Sequence, residues 1–181
     1  MASNEKEMKD TGNQTLNAIA IIARCWWYPD AQLEEALDNG LFKEELSTTP
    51  TIDDLQKEYT RLFIGPGDHP CSPYESVYRD QGSSEGAVHV HGESTRSVVD
   101  WYRQYELMPD STWKDLPDHI AVELEFAGHL RRNDPDALSA FMNEHPQQWM
   151  PEFLTAVENH TEMPFYSHLA ATTKQLLISN G

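Results

Sequence analysis

The stretch EYTRLFIGPGDHPCSPYESVYRD, residues 58–80, decides the fold of the chain, because it joins a helix to a long loop. Its first half ends an amphipathic helix that we predict over residues 52–64. Four apolar residues recur at the spacing of one helix face, namely Leu55, Tyr59, Leu62 and Phe63. The second half is rich in proline and aromatic residues, which predicts a stiff loop without regular structure. Long loops of this kind are often functional.

Short motifs predict both ends of this helix. Thr51 followed by Asp54 resembles a capping box in which aspartate replaces the usual glutamate or glutamine. Gly65 and Pro66 are expected to end the helix, because glycine tolerates a left-handed cap and proline cannot continue the helical turn.

Apolar periodicity predicts further helices on both sides of this stretch. The predicted boundaries are an end near Pro29, a start at Asp30, an end at Asn39-Gly40, and starts at Ser94 or Thr95, Pro117, Asp134 with Pro135, Pro146 and Phe165. Alternation typical of a strand occurs only briefly, at residues 88–91. The predicted fold class is therefore all-α, a compact helical bundle.

The chain length favours one all-helical domain over residues 13–181, preceded by a disordered N-terminus over residues 1–12. Residues 107–116 are predicted to form a linker and are the expected place of a hinge, if the molecule has one. Residues 81–93 contain few large apolar side chains, and the sequence leaves their structure open.

The charge of the chain restricts its partners. Thirteen basic against thirty acidic residues give a formal net charge of −17. Because phosphate binding needs a basic surface, this balance argues against nucleic acid as a partner. It favours a basic partner or simply a soluble surface.

Cysteine usage and the N-terminus indicate the cellular compartment. Cys25 and Cys71 lie far apart and lack the spacing of a zinc site, so a reduced protein is the simpler interpretation. The first residues lack the apolar core of a secretory signal. No run approaches the ~20 apolar residues of a membrane-spanning helix. We therefore expect a cytoplasmic protein without stable membrane insertion.

Two patterns suggest catalytic or metal chemistry, and each has a simpler interpretation. Residues 82–86 match the nucleophile-elbow pattern around Ser84, but that motif requires a buried strand before it, and a polar loop is favoured here. Four potential metal ligands are His69, Cys71, His89 and His91. Because no cysteine pair or carboxylate-rich helix motif accompanies them, we favour exposed loop histidines and predict no metal and no other cofactor.

A cluster of polar residues near position 120 is the most distinctive. His119 and Glu123 are four residues apart on one predicted helix face, and Asp118 near the helix N-terminus is favoured by the helix dipole. The residues alone leave open a structural role, ligand binding, or catalysis, which would also need a nucleophile or a metal. Tyr74 and Tyr78 lie on the proline-rich loop, where large aromatic side chains either pack on the core or grip a partner.

Several of these motifs, in this order, resemble the signatures of the TorD/DmsD chaperone family. They are residues 59–66 with residues 73–78, the run Gly92–Thr95 opening a helix, and residues 117–120 leading to 123–126. The resemblance spans roughly residues 16–178.

The resemblance implies an all-helical cytoplasmic chaperone and not an enzyme. Members bind the twin-arginine signal peptide of a molybdenum-cofactor oxidoreductase, delay its export and assist cofactor loading. The peptide-binding surface of the family maps onto Tyr59, Leu62, Phe63, Pro73, Tyr74, Tyr78, Gly92, Asp118 and His119. Some members bind guanine nucleotide weakly or form domain-swapped dimers, so we also consider weak GTP binding and either a monomer or a dimer exchanged through residues 107–116.

The physical chemistry of such a peptide agrees with this implied surface. Glu75, Asp118 and Glu123 could each receive a guanidinium group in bidentate geometry. The aromatic and leucine side chains could receive the apolar stretch of the signal. The charge of −17 would steer a cationic peptide toward the chain.

The chain departs from the family where several members carry tryptophan. The corresponding positions are Tyr59, Gly67, Tyr74 and Tyr78. Because Gly67 has no side chain, the groove there should be shallower.

We therefore predict a maturation chaperone for a reductase of dimethyl-sulfoxide or trimethylamine-N-oxide. Two rival interpretations remain. One is a hydrolase, acting on nucleotide through Asp118 and His119 or on an ester through Ser84. The other is a scaffold that grips the folded body of its client instead of the signal.

Overall fold

The computed structural model describes residues 18–66, 71–80, 92–107 and 117–180. These residues form nine helices without a strand, which confirms the all-α prediction. Their bounds are α1 at 18–25, α2 at Ala31–Asp38, α3 at Ile52–Tyr59, α4 at Glu75–Arg79, α5 at Glu93–Gln104, α6 at Ile120–Asn133, α7 at Pro135–Glu144, α8 at Pro146–His160 and α9 at Pro164–Asn180.

Helix α6 lies in the centre of the core. Nine of its 14 residues are buried, among them Leu124 and Leu130, which are fully enclosed. The largest fully buried side chains include Trp26, which directly follows α1, Phe141 of α7 and Trp149 of α8. Because other helices enclose α6, the core holds the N-terminal residues of α6 in place.

Three predicted helix starts are confirmed by their hydrogen bonds. Asp30 Oδ1 accepts from the N–H groups of the second and third residues of α2 at 2.9 and 3.2 Å. Thr51 Oγ1 accepts from the N–H of Asp54 at 3.2 Å and donates to the Asp54 carboxylate at 2.7 Å. Asp134 accepts from the N–H of Ala137 at the start of α7. Side chains within three residues of a helix start can satisfy its unpaired N–H groups, which is why the sequence predicts these starts.

The predicted end of the helix over residues 52–64 is confirmed, but its last turn and the conformation of Gly65 differ from the prediction. The helix continues as one wider π-helical turn over Thr60–Ile64, so that helical structure does extend to residue 64. Gly65 ends it with φ −74° and ψ 162°, which is extended and not left-handed. Its N–H donates to Thr60 O at 2.6 Å. A Cβ on Gly65 would lie 3.0 Å from that oxygen, so glycine provides space there rather than a left-handed conformation.

The predicted start of α5 at Ser94 or Thr95 is wrong. The helix begins at Glu93, and the carboxylate of Asp80 caps it from outside. Ser94 donates to Asp80 Oδ1 from its backbone N–H at 3.3 Å and from its hydroxyl at 2.8 Å. A Cβ on Gly92 would lie 1.8 Å from Asp80 Oδ2, so glycine at this position makes room for the capping carboxylate.

The predicted start of α6 at Pro117 is also wrong. The helix begins at Ile120, and His119 is its N-cap. His119 is held in extended conformation, with φ −75° and ψ 140°, by its bridge to Tyr74, and a residue in extended conformation cannot be part of the helix.

Some predictions concern residues outside the described ranges. These are the disorder of residues 1–12, the structure of residues 81–91, Ser84, Gly67, the metal candidates His69, His89 and His91, and a hinge within residues 108–116. Among the helices that are described, none combines the length and the apolar character needed to cross a membrane.

Candidate functional site

A short antiparallel bridge joins the two signature motifs. Glu75 N–H donates to Asp118 O at 3.0 Å, and Ile120 N–H donates to Pro73 O at 2.9 Å. Tyr74 and His119 therefore face each other directly, although they are 45 residues apart in the sequence. The bridge places the start of α4 beside the start of α6.

The Asp118 side chain supports α4. It is fully buried, and its Oδ2 accepts from the N–H of Ser76 in the first turn of α4 at 2.9 Å. Burial raises the pKa of Asp118, the bond from Ser76 opposes this, and the charge of Glu75 adds to the increase. The buried carboxyl group of Asp118 thus links the two motifs.

Glu75 and Glu123 form the centre of a buried acidic network. Glu75 accepts from His145 Nδ1 at 2.9 Å and is paired with Arg79. Glu123 accepts from Trp149 Nε1 at 3.1 Å. Burial, and then the neighbouring charge of Glu75, raises the pKa of Glu123 well above its usual value. Burial therefore favours the protonated form of Glu123.

Because these three carboxyl groups are buried, a peptide ligand cannot contact them directly. Glu75, Asp118 and Glu123 are each 0% exposed, and each already has partners within the protein. A guanidinium group from outside would reach them only if α4 and α6 moved apart. In this structure they lie beneath the candidate surface and position the residues above them.

His119 is held between two aromatic side chains. Its ring stacks on Trp27 with a centroid distance of 5.0 Å and an angle of 13°, and Tyr74 meets it edge-on at 5.2 Å. Its Nδ1 accepts from the N–H of Ala121 at 3.2 Å. Burial lowers the pKa of His119 to about 3. The imidazole is therefore neutral, and since Nδ1 is an acceptor, its hydrogen is on Nε2.

The sequence did not identify Trp27 as part of this site. Trp26 and Trp27 are adjacent at the end of α1, but Trp26 is fully buried in the core, whereas Trp27 is half-buried and stacks on His119. Trp27 also donates from Nε1 to Glu125 at 2.9 Å. The pair of tryptophans was the only signal available, and it did not indicate which ring would reach His119.

The remaining predicted residues lie at different depths. Tyr59, Leu62, Pro73 and Gly92 are buried, whereas Phe63, Tyr74 and Tyr78 are half-buried. Phe63 packs against Tyr59 at 4.7 Å, and Tyr78 packs against Trp149 at 5.5 Å. The bridge brings Tyr74 and His119 into contact, while Tyr59 and Leu62 belong mainly to the core.

A chain of hydrogen bonds connects Ser97, His145 and Glu75. Ser97 Oγ lies 3.4 Å from His145 Nε2, and His145 Nδ1 lies 2.9 Å from Glu75. This order matches that of a nucleophile, a base and an orienting acid. However, Ser97 donates to the Glu144 carboxylate at 3.1 Å and lies inside α5, whose N–H groups are used by the helix. We interpret the chain as a structural link between α4, α5 and the α7–α8 junction.

A groove of about 610 Å³ is lined in part by Glu125, the residue to which Trp27 donates. It is formed by α1, the C-terminal end of α5 and one face of α6, and we call it the α1–α6 groove. Its lining residues are Ala20, Arg24, Tyr102, Glu106, Leu107, Val122, Leu124, Glu125, Phe126, Gly128, His129 and Arg132. Glu125 belongs both to the groove and to the hydrogen bond with Trp27.

Comparison with known proteins identifies the family. Residues 29–155, more than half of the chain, match the family described as nitrate reductase delta subunit. A crystal structure from Archaeoglobus fulgidus, described as a candidate redox enzyme maturation protein, matches with a TM-score of 0.61 and 27% identity. That match covers 89% of this chain and 93% of the other.

Curated relatives carry more specific names. The probable Tat proofreading chaperone DmsD of Haemophilus influenzae is 30% identical over 123 residues, or 68% of this chain and 58% of that protein. The chaperone TorD of Shewanella sp. strain ANA-3 is 29% identical over 147 residues, 79% of this chain and 66% of that protein. DmsD of Salmonella typhi is 29% identical over 133 residues, 71% of this chain and 61% of that protein. The chain thus spans less than two thirds of the length of each of these relatives.

The class of protein follows from the all-helical fold and the bridged motifs together with these matches. The chain belongs to the nitrate reductase delta subunit family, and within it to the TorD/DmsD group, whose curated members named above are chaperones. The resemblance that the motifs suggested is thereby confirmed.

Proposed function

We propose that this protein is a cytoplasmic chaperone for a molybdenum-cofactor oxidoreductase of the dimethyl-sulfoxide or trimethylamine-N-oxide reductase type. It binds the twin-arginine signal peptide of this client and keeps the client from export until maturation is complete. The observation that supports this most is the Tyr74–His119 bridge, which brings both signature motifs together. The names of the relatives, Tat proofreading chaperone among them, agree with it.

In this proposal the predicted residues act at two levels. The half-buried rings of Phe63, Tyr74 and Tyr78 contact the peptide. The buried groups, which are Tyr59, Leu62, Pro73, Glu75, Gly92, Asp118, His119 and Glu123, position these rings and are not the primary contacts. The net charge of −17 attracts the basic end of the peptide over longer range.

We also propose that the protein is not an enzyme, has no resident cofactor and binds no nucleic acid. It acts as a monomer or as a domain-swapped dimer. Weak binding of guanine nucleotide near Asp118 and His119 remains the alternative. Asp118 and His119 are both buried beneath the bridge, so nucleotide could reach them only through an opening of this region.

The experiment is calorimetric titration with a synthetic twin-arginine signal peptide of a molybdenum reductase. The control is the same peptide with both arginines changed to alanine. We expect micromolar or tighter binding, about −8 kcal/mol or better, that is lost with the control peptide. Equal binding of both peptides would show that the arginines are not recognised, and absence of binding by either would contradict signal recognition for this client.

A pair of histidine variants tests the site. His119→Gln removes the aromatic stack on Trp27 and Tyr74 and should weaken peptide binding by about tenfold, on the scale of 1.4 kcal/mol. His168→Gln changes a half-buried histidine on α9, far along the chain, and should leave binding unchanged. Equal affinities of both variants would remove His119 from the site.

Two further assays address the rivals. Phosphate release from GTP that is abolished by Asp118→Asn, or ester hydrolysis abolished by Ser84→Ala, would overturn the proposal that the protein is not an enzyme. Binding of a client that lacks its signal, with the affinity of the full client, would favour the folded-body scaffold.

A further inference from the structure

We propose that Asp80 is a positioning residue, which holds the aromatic ring of Tyr78 in place for the signal peptide, and that Gly92 acts through Asp80. This inference rests on the proposed function, because it concerns how a peptide-contacting ring of α4 is held. Asp80 is not among the residues that the motifs assign to the peptide-binding surface.

Gly92 is not placed to contact a peptide. It is buried, and its backbone has φ −73° and ψ −170°, an extended conformation that any residue adopts. The need for glycine therefore comes from space and not from the backbone. A Cβ on Gly92 would lie 1.8 Å from Oδ2, 2.6 Å from Cγ and 3.1 Å from Cβ of Asp80. The three nearest atoms thus all belong to Asp80, and any side chain on residue 92 would have to displace its carboxylate.

Asp80 joins two helices. Its N–H donates to Ser76 O at 3.1 Å at the end of α4. Its carboxylate accepts from the N–H of Ser94 at 3.3 Å and from the Ser94 hydroxyl at 2.8 Å, in the first turn of α5. A carboxylate at this place satisfies an N–H group at the helix start and is favoured by the helix dipole. We call the contact among Asp80, Gly92 and Ser94 the Asp80 clasp.

Helix α4 depends on such attachments, because a helix of five residues is not stable alone. The start of α4 is held by the bridge at Tyr74 and by Asp118. Near its end, Arg79 donates to Glu144 O at 2.9 Å, while Asp80 reaches the start of α5. Arg79 therefore attaches the end of α4 to α7, and the Asp80 clasp attaches it to α5.

The Tyr78 ring lies next to these two attachments. Tyr78 is two residues before Asp80, and its half-buried ring packs on Trp149 at 5.5 Å and on Phe153 at 6.3 Å. Loss of the Asp80 clasp would release α4 from α5, so that the ring is less firmly held against α8. A peptide would then have to order the ring on binding, which costs conformational entropy.

Asp80→Ala removes the clasp, and Asp134→Ala is the matched control. Asp134 caps the start of α7 through the N–H of Ala137 at 3.3 Å, so both variants lose a carboxylate at a helix start. We expect Tm to fall by about 2–4 °C in both. Only Asp80→Ala should weaken binding of the twin-arginine peptide in the calorimetric experiment, by about tenfold. Equal peptide affinities of the two variants would overturn the inference.

Asp80→Asn is the conservative variant. Its side-chain amide keeps an oxygen that can accept from Ser94, and asparagine caps helices about as well as aspartate does. Asp80→Asn should therefore bind the peptide within about twofold of the unmodified protein. A loss as large as that of Asp80→Ala would contradict a role through the helix cap.

Gly92→Ala tests whether the glycine serves the carboxylate, and it disrupts the clasp without changing Asp80. With Asp80 present, the new Cβ must displace the carboxylate, and peptide binding should weaken by about tenfold. With Asp80→Gly as the background, the three atoms that the Cβ would meet are absent. Gly92→Ala should then change peptide binding by less than about twofold. The same loss in both backgrounds would show that Gly92 does not act through Asp80.

The position of the Tyr78 ring can be followed without a peptide. In NMR spectra, nuclear Overhauser contacts between the rings of Tyr78 and Trp149 should be present in the unmodified protein and in Asp134→Ala, and weaker in Asp80→Ala. Unchanged contacts in Asp80→Ala would overturn the positioning role. If the unmodified protein binds no twin-arginine peptide, the proposed function fails, whereas these ring contacts still decide whether the Asp80 clasp holds Tyr78.

Discussion

His119 and Glu123 lie four residues apart, and burial favours the uncharged form of both side chains. For His119, burial lowers the pKa to about 3, so the imidazole is neutral above that value. For Glu123, burial and the charge of Glu75 raise the pKa, which favours the protonated carboxyl group. One physical cause thus disfavours both a positive and a negative charge at the same helix start.

The neutral state of His119 is a testable property of this residue. In an NMR titration, the ring resonances of His119 should not shift between about pH 5 and pH 8, whereas in urea-unfolded protein they should titrate near 6.5. Because the unfolded state binds the proton first, His119 destabilises the fold as pH falls from about 6.5 toward about 3. A midpoint near 6.5 in the folded protein would contradict this.

Glu123 predicts a pH dependence of the opposite sign. Its folded pKa is raised, so above the unfolded value near 4.5 the folded state holds more protons, and stability decreases as pH rises. Glu123→Gln imitates the protonated group and keeps an acceptor for Trp149. Its free energy of unfolding at pH 8 should exceed that of the unmodified protein by about 1 kcal/mol, a Tm increase of about 2–4 °C.

Chemical denaturation at pH 5 and pH 8 measures this effect. The control is Glu152→Gln, which changes an exposed glutamate of α8 and should have little effect at either pH. Between pH 5 and pH 8, the Glu123→Gln variant should lose less stability than the unmodified protein. An equal loss in both proteins would show that Glu123 does not cause the pH dependence.

At the scale of the helices, Glu58 connects α3 to the turn between α8 and α9. Its carboxylate accepts from Thr161 Oγ1 at 2.9 Å and from the N–H of Glu162 at 2.7 Å, and it is paired with Arg61. Burial opposes ionisation, but the bonds from Arg61, Glu162 and Thr161 together lower the pKa of Glu58. The Glu58 side chain therefore accepts hydrogen bonds from a turn that lies about 100 residues away in the sequence.

Removal of this carboxylate should destabilise the bundle. We expect Glu58→Ala to cost about 2 kcal/mol, because a charged acceptor is lost and the Glu162 N–H is left without its partner. Urea denaturation measures the change, with Glu45→Ala, an exposed glutamate, as the matched control. Because the pKa of Glu58 is lowered, its contribution should also decline as pH falls below the ordinary glutamate value near 4.5. Equal stability of the two variants at pH 7 would contradict this role.

The helix starts show which elements could be predicted. Asp30, Thr51 and Asp134 cap helices that begin directly after them, so local sequence was sufficient. The starts of α5 and α6 were predicted wrongly, since Asp80 caps α5 from 14 residues away and the bridge to Tyr74 holds His119 extended. Helix starts that depend on distant partners leave no local signal.

At the scale of the whole molecule, the acidic charge should affect the rate of association. Attraction between the chain at −17 and a twin-arginine peptide should accelerate encounter at low salt. We expect the association rate constant to fall about tenfold between about 50 and about 500 mM NaCl, with a much smaller change in the dissociation rate constant. Stopped-flow fluorescence measures both, and the double-alanine peptide is the control. An association rate that salt does not change would exclude electrostatic steering.

The sequence alone determined the all-α class, the family and most helix faces, because periodicity, local caps and short ordered motifs act over a few residues. The tertiary structure decided the depth of each side chain. It placed the carboxylates of Glu75, Asp118 and Glu123 beneath the surface and brought Trp27 onto His119. The physical reason is that burial and long-range pairing depend on how helices pack, and packing joins residues whose separation along the chain carries no signal.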